Sequence, residues 1–163
     1  MKENRSLYYD IYSEFNDVNK FRELKSIMHH GDNRLNHINR VAKFSFLVSK
    51  KIGCDYISCT RGAIMHDFFT KDDITKKNIK FKNFLKEHPS IALNNAENNF
   101  EINEIEKDII LTHMFPITKE RPKYLESKIV CICDKIVSFY EFFRFKLGLS
   151  YVFAYVFCVK VLM

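Results

Sequence analysis

A histidine and an aspartate stand side by side at His66-Asp67, at the end of the apolar run that starts at Arg61. Such a pair is common by chance, and taken alone it most often ends a helix and faces water. Residues of the same ligand types occur in other apolar stretches of the chain: His37, His88, His113 and Asp134. Neutral imidazoles and ionised carboxylates are the usual protein ligands of first-row divalent ions. The set therefore predicts a metal site assembled from several elements.

Asp134 is the member of this set that is hardest to dismiss. It lies in the apolar run 129–137, on a helix that Pro122 is predicted to open. A carboxylate on an apolar helical face costs several kcal/mol unless it is paired or coordinates a metal ion. A salt bridge to a neighbouring arginine is the alternative to a metal ion.

Helices are the elements that must position these residues. His37, Val41 and Phe44 share one helical face, which predicts a helix over residues 34 to 52 that stops at Gly53. A lone histidine in a core more often bonds a backbone carbonyl than a metal ion. His37 is therefore a metal-ligand candidate only in combination with the other candidate ligands.

The His66-Asp67 pair ends a third predicted helix, which Asp55 or Ser58 caps at its start. Gly62 in the middle of this helix allows a neighbouring helix to approach closely. The small residues on this face leave room for ions and for phosphate oxygens.

Two further histidines lie at predicted helix ends. His88 is predicted to cap a helix over residues 89 to 99 that has Pro89 at its first position, and capping alone would explain this histidine. A helix that starts at Asn103 carries His113 on its apolar line and ends near residues 115–116.

The N-terminal part of the chain is less informative. Residues 1–16 are mixed and aromatic and receive no assignment. Asp17 is predicted to cap a helix that ends at 29–31, with Gly31 in the position after the helix. His29 and His30 are then end-of-helix residues facing the helix dipole rather than metal ligands, with a place at the mouth of a pocket as the alternative.

Two stretches carry no ligand candidate. The polar residues 70–78 are predicted to form a surface loop, in which Lys71 is the best candidate for a phosphate contact. Residues 147–159 carry no charge, but a membrane-spanning helix needs about twenty residues. No membrane span is therefore expected, and a docking helix, a strand and a homodimer contact stay open for this segment.

Composition supports one all-α domain. The 163 residues include 16 Phe and 8 Tyr but only 4 Gly and 3 Pro, which favours long helices with few tight turns. The net charge of +6 comes without an arginine-rich block, so no nucleic-acid partner is expected. The five cysteines form no Cys-x-x-Cys pair and the N-terminus has no signal-peptide pattern, which predicts a cytoplasmic protein.

The order of the ligand candidates resembles the HD-domain metal-dependent phosphohydrolase superfamily. The resemblance covers roughly residues 29 to 143 and extends to the motifs around the candidates: His29-His30-Gly31, Arg40-Val41-Ala42, His88-Pro89 and Asp134-Lys135. Residues 112–118 and 122–124 look like a bacterial subgroup described only as HD-domain proteins. His88 and His113 are similar to extra histidines in the dinuclear branch, which includes symmetrical diadenosine tetraphosphate hydrolases.

This resemblance implies a single-domain HD-type helical bundle of about six to eight helices at residues 17–143. An N-terminal segment, 1–16, precedes it, and an apolar C-terminal segment, 144–163, packs on the domain or a partner. One ion is then implied at His37, His66, Asp67 and Asp134. A second is implied at His88 and His113, with Asp67 bridging. The catalytic roles fall on Asp67 and His66.

The implied chemistry is phosphate hydrolysis. Two divalent ions about 3.5 to 4 Å apart can lower the pKa of a bridging water toward 7, present hydroxide to phosphorus and stabilise the phosphate oxygens. The resemblance favours Fe or Mn as the one or two ions per chain. Mixed imidazole and carboxylate ligation also suits Zn, Co and Ni.

Two positions depart from the family pattern. Met114 stands where some dinuclear members carry a second histidine, so the second ion can be weakly bound. Thr70 stands where a lysine is often found, and Lys71 comes one residue later. The contact with the substrate phosphate therefore stays open among the basic residues Arg34, Arg40, Arg61, Lys71 and Lys135.

The leading hypothesis is a phosphohydrolase that acts on a nucleotide or another small phosphate ester or anhydride. Within enzymes, the alternative is a mononuclear nucleotidase in which His88 and His113 bind phosphate. A second hypothesis, outside the enzymes, is a nucleotide-binding regulator that keeps a structural metal ion and hydrolyses its nucleotide slowly or not at all. A nucleic-acid-binding module rests on net charge only.

Overall fold

The computed structural model describes residues 2–29, 32–76 and 83–162. Within these ranges the chain forms eight helices and one pair of two-residue strands, in the order α1 (Lys2–Ser13), α2 (Asn19–Glu23), β1 (Met28–His29), β2 (Asp32–Asn33), α3 (Arg34–Ile52), α4 (Tyr56–Met65), α5 (Lys71–Lys76), α6 (Phe84–Asn99), α7 (Glu104–Thr112) and α8 (Leu125–Leu162). The strands pair antiparallel. The predicted all-α fold and number of helices are confirmed.

Helix α3 is the centre of the packing, and its predicted bounds are confirmed. The side chain of Asn33 caps its start by accepting the Asn36 N–H, and Gly53 ends it with a φ of 84°. That left-handed conformation favours glycine. One face of α3 is buried against α4 and α8 and carries Ile38 and Phe46 into the core. His37 lies on the same buried face.

Helix α4 approaches α7 closely at Gly62. A Cβ atom built on Gly62 would lie 2.6 Å from Ile109 Cδ1, so any side chain there would force the helices apart. The cap of α4 is Asp55 and not Ser58, because the Asp55 carboxylate accepts the N–H groups of Ile57 and Ser58. The close packing brings the C-terminal ends of α4 and α7 together.

The predicted helix from Asp17 to residues 29–31 is wrong. Helix α2 covers only Asn19–Glu23 and has Val18 as its N-cap, and a 3₁₀ turn, Leu24–Ser26, follows it. The chain then turns back through β1 and β2, and Arg34 N–H donates to the Ile27 carbonyl at 2.8 Å. His30 and Gly31 lie outside the described residues.

The predicted loop at 70–78 is helical in part, because α5 covers Lys71–Lys76. Thr70 and Asp73 cap its start reciprocally. The Asp73 carboxylate accepts the Thr70 N–H at 2.7 Å, and the Asp73 N–H donates to the Thr70 hydroxyl at 3.4 Å. Residues 77 and 78 lie outside the described part of the chain.

Two predicted helix starts are wrong. Helix α6 begins at Phe84 and contains Pro89, so His88 is not its N-cap. The Phe84 ring stacks on the His88 ring with centroids 5.1 Å apart, which favours an earlier helical turn. Helix α8 begins at Leu125 rather than Pro122, because the Asp108 carboxylate accepts the Lys123 N–H at 2.9 Å just before the helix.

Helix α8 continues through Leu162, so a strand at residues 147–159 is excluded. In the described part of the chain, no helix combines the length and the apolar character that a membrane crossing needs.

Candidate metal centre

All six predicted metal ligands come together where α3, α4, α6, α7 and α8 meet. His37 lies on α3, the His66-Asp67 pair directly follows α4, and the others come from the last three helices. Each of the six side chains is buried: His37, His66, Asp67, His88, His113 and Asp134. The burial of so many ligand-type groups at one point needs either mutual pairing or a bound cation.

Three of the histidines are held by backbone carbonyls in the same way. Nδ1 of His66 lies 2.7 Å from the Ala63 carbonyl oxygen, and Nδ1 of His113 lies 2.8 Å from that of Ile110. Nδ1 of His88 has the equivalent bond to the helix carbonyl four residues earlier, at 3.0 Å. A carbonyl only accepts, so each Nδ1 carries the proton and each neutral ring offers the lone pair of Nε2. This is the tautomer that metal ligation through Nε2 requires.

His37, His66 and Asp134 form one ligand group. Their nearest donor atoms all lie within 4.8 Å of one another. His37 Nε2 lies 3.1 Å from Asp134 Oδ1, and His66 Nε2 lies 3.8 Å from the same oxygen. Within the described part of the chain, buried His66 Nε2 has no hydrogen-bond partner. An ion at this point would satisfy that lone pair.

His66, Asp67 and His113 form a second group on the same distance criterion. His88 adjoins it, since its Nε2 lies 3.0 Å from His113 Nε2 and 3.4 Å from Asp67 Oδ1. With both Nδ1 atoms protonated, two Nε2 lone pairs face each other across that 3.0 Å. They repel unless a proton or a metal ion lies between them.

The two carboxylate oxygens of Asp67 face different histidines. Oδ1 lies toward His88 and His113, at 3.4 and 3.7 Å from their Nε2 atoms. Oδ2 lies 4.0 Å from His66 Nε2. Asp67 thus lies between the two groups, as a bridging carboxylate would, and His66 contributes to both.

The electrostatics of the site suit a cation. Burial lowers the pKa of His113 to about 3, and nearby His66 and His88 add to that shift, so the ring stays neutral. For Asp134, burial acts to raise the pKa, but the His37 hydrogen bond and the field of His66 hold it well below its usual range. Burial alone would lower the pKa of His37, yet its bonds to Asp134 and Glu141 raise it to about 10.

Glu141 is a site residue that the sequence analysis missed. Its Oε2 lies 2.9 Å from Nδ1 of His37, and its Oε1 accepts from Arg40 Nη1 at 2.7 Å. Glu141 is buried on α8 and stands seven residues after Asp134, which is two helical turns on the same face. The argument applied to Asp134, a carboxylate in an apolar helical run, would have found it.

A cavity of about 300 Å³ opens onto the centre. Its lining includes four of the predicted metal ligands: Asp67, His88, His113 and Asp134. Its walls are mainly apolar and aromatic: Phe69, Phe84, Leu85, Met114 and Ile117. Pockets of about this size and character bind small organic molecules.

Among the predicted substrate contacts, Lys135 lies on the cavity wall and Arg34 lies near it. Lys135 Nζ donates to the His113 carbonyl at 2.8 Å. Arg34 is buried, with Nη1 donating to the Phe69 carbonyl at 2.6 Å and its guanidinium 3.8 Å from the Phe69 ring centroid. Burial lowers the pKa of Arg34, and the negative charge of Asp67 opposes that shift. The guanidinium and the Asp67 carboxylate therefore interact electrostatically.

The other basic candidates lie elsewhere. Arg40 is engaged by Glu141, and Lys71 is exposed at the start of α5. Arg61 pairs with Glu106 at 2.6 Å, and is also paired with Glu14, which directs it away from the centre. None of these three side chains is among the described residues that line the cavity.

Comparison with known proteins places this geometry in a family. Neither a curated protein nor a solved structure matches the chain. The HD domain model matches residues 34–138, which is more than half of the chain and includes every predicted ligand. Glu141 lies just beyond the matched residues. The chain therefore belongs to the HD domain family.

Proposed function

We propose that this protein is a metal-dependent phosphohydrolase that cleaves a phosphate ester or anhydride of a nucleotide or a related small molecule. Members of the HD domain family are in general metal-dependent hydrolases. The observation that carries the proposal is the pair of Nε2 lone pairs of His88 and His113, which face each other at 3.0 Å beside the Asp67 carboxylate. Such an arrangement is stabilised by a metal ion or a proton shared by the two nitrogen atoms, and it is unfavourable when neither is present.

The donor set fits two divalent ions. His37, His66 and Asp134 would hold one, and His88 and His113 would hold the other, with Asp67 between them. Ions bound there would supply an activated water as nucleophile and would offset the negative charge of the phosphate. Imidazole with carboxylate suits Fe or Mn, which we favour, and also Zn, Co and Ni.

The cavity suits a small organic phosphate. The ammonium of Lys135 and the field of buried Arg34 would attract an anion to the cavity, where bound metal ions would offset the charge of the lining carboxylates. Phe69 and Phe84 offer flat apolar surface to the organic part of the substrate. A volume of about 300 Å³ lies at the lower end of the range for small-molecule pockets.

Metal analysis with a hydrolysis assay tests this function. Anaerobically purified protein is examined by elemental analysis and then assayed for phosphate release from nucleotides and simple esters with Mn²⁺ or Fe²⁺ supplied. We expect bound transition metal and metal-dependent phosphate release. Tight nucleotide binding without release would instead support a non-catalytic regulator, and no metal binding after reconstitution would contradict both functions.

Glu141→Gln is expected to weaken metal binding by about 10- to 100-fold, the usual effect of removing a carboxylate that orients a ligating histidine. The substitution keeps the size of the side chain but removes the charge that faces His37 Nδ1 and Arg40. Isothermal titration calorimetry with Mn²⁺ measures the affinity.

The matched control is Glu126→Gln, on the same helix. Glu126 is also buried, but its carboxylate accepts the Asp55 N–H, far from the centre. We expect this variant to lose stability with unchanged metal affinity. An affinity of Glu141→Gln equal to wild type would show that Glu141 does not position His37.

A further inference from the structure

The outer face of α8 exposes large apolar side chains in a regular row. We call Ile132, Ile136, Phe139 and Phe143 the outer stripe; their exposed fractions are 59%, 50%, 66% and 47%. As far as Glu141, the opposite face of the same helix is buried and carries Asp134 into the metal centre. A contiguous apolar row of this kind on a soluble domain marks an interaction surface.

The exposed area is large enough for a specific interface. Tyr140 and Leu147 beside the outer stripe are also about half exposed. An aromatic side chain carries about 200 Å², so the three exposed rings on this side, Phe139, Tyr140 and Phe143, present about 300 Å² per chain. The half-exposed side chains of Ile132, Ile136 and Leu147 bring this face to about 500 Å². Two such faces packed together would bury about 1,000 Å² or more, which a specific protein interface requires.

The spacing of the outer stripe is self-complementary. Its members follow one another at intervals of four, three and four residues, which is the seam of a packed helix pair. This series of intervals reads the same in both chain directions, so two antiparallel copies present matching positions to each other. In an antiparallel pair with a twofold axis between Ile136 and Phe139, each isoleucine faces a phenylalanine of the other copy.

Basic residues flank the outer stripe at both ends. Arg144 and Lys146 lie at the C-terminal end of the exposed row, with their cations 5.8 and 5.5 Å from the ring centroids of Tyr140 and Phe142. Lys128 is exposed one helical turn before Ile132 at the other end, so both ends of the contact are basic and charge does not select between a parallel and an antiparallel pair.

We propose that the outer stripe is an antiparallel, twofold contact with a second copy of this chain. The contact lies on the opposite face of α8 from the metal centre. The contact therefore leaves the cavity open, and it packs against the helix that carries Asp134 and Glu141.

Opposite charges introduced at the two facing positions test the proposal, with the oligomeric state measured by sedimentation velocity. Wild type is expected to be a dimer. Ile132→Glu and Phe143→Lys are each expected to weaken the dimer by at least about 30-fold, the scale of an interface hot spot. The double variant Ile132→Glu/Phe143→Lys should recover the dimer, because each new carboxylate faces a new ammonium of the other copy only in the antiparallel arrangement.

Leu47→Glu on α3 is the control, because Leu47 is 53% exposed and lies on a different helix. It should remain dimeric, and circular dichroism with metal content shows that every variant is folded. A wild-type protein that is monomeric at all concentrations would overturn the proposal. Binding of this face to anionic phospholipid vesicles would then identify a membrane surface, and not a second copy, as its partner. A double variant that stays monomeric would overturn the antiparallel arrangement.

Discussion

Asp67→Ala is expected to remove transition metal from the protein and to lower phosphate release by at least about 10³-fold. Asp67 is the group common to the two ion positions, because its Oδ1 faces His88 and His113 while its Oδ2 faces His66. Loss of bound ions removes several kcal/mol of charge stabilisation, and about 1.4 kcal/mol corresponds to a tenfold change in rate. Elemental analysis and a phosphate-release assay measure the two effects.

Two companion variants separate charge from shape. Asp67→Asn keeps the size of the side chain but loses the negative charge, and it should fail in the same way as alanine. Asp108→Asn removes a comparably buried carboxylate that accepts the Lys123 N–H outside the cavity. It should keep its metal and its rate. A metal-replete, active Asp67→Ala would show that the ions, if bound, lie elsewhere.

The parts of the fold that were predictable are those set by neighbouring residues. Both ends of α3 follow from local signals, the Asn33 cap and the left-handed Gly53. The same holds for the start of α7, where Asn103 and Glu106 form a reciprocal cap, whereas the helix ends at Thr112 and not near residues 115–116 as predicted. These contacts form within one helical turn, so the sequence around them carries the information.

The errors arose where distant contacts decide the local structure. The helical turn before His88 is favoured by the contact of the Phe84 ring with Phe69, which lies 15 residues earlier in the chain. The start of α8 is delayed by Asp108, which lies 15 residues before Lys123. Local propensity does not report such contacts, and tertiary packing overrides it.

The candidate site divides in the same way. The residue types and their apolar positions could be predicted, and the structure brings all of those candidate ligands together. The partner of His37 could not, since 104 residues separate it from Glu141. The spacing of residues in the sequence also could not show that His66 belongs to both ligand groups. Its position depends on how α4 and α7 pack against each other at Gly62.

His113→Ala is expected to lower the metal content from two ions per chain to one and to reduce kcat by at least about 100-fold. Its Nε2 belongs to the second group, together with Asp67 Oδ1 and His88 Nε2, whereas His37 and Asp134 lie in the first. The ion that remains shows that the variant is folded. Elemental analysis counts the ions, and steady-state kinetics separates kcat from KM.

The same variant distinguishes a dinuclear centre from a mononuclear one. If wild type holds a single ion and His113→Ala keeps it, His113 is not a ligand. A rise in KM with little change in kcat would then assign His88 and His113 to phosphate binding, because uniform loss of ground-state and transition-state binding acts on KM alone. The facing Nε2 atoms of His88 and His113, 3.0 Å apart, favour the dinuclear outcome, since a phosphate oxygen cannot accept from two lone pairs.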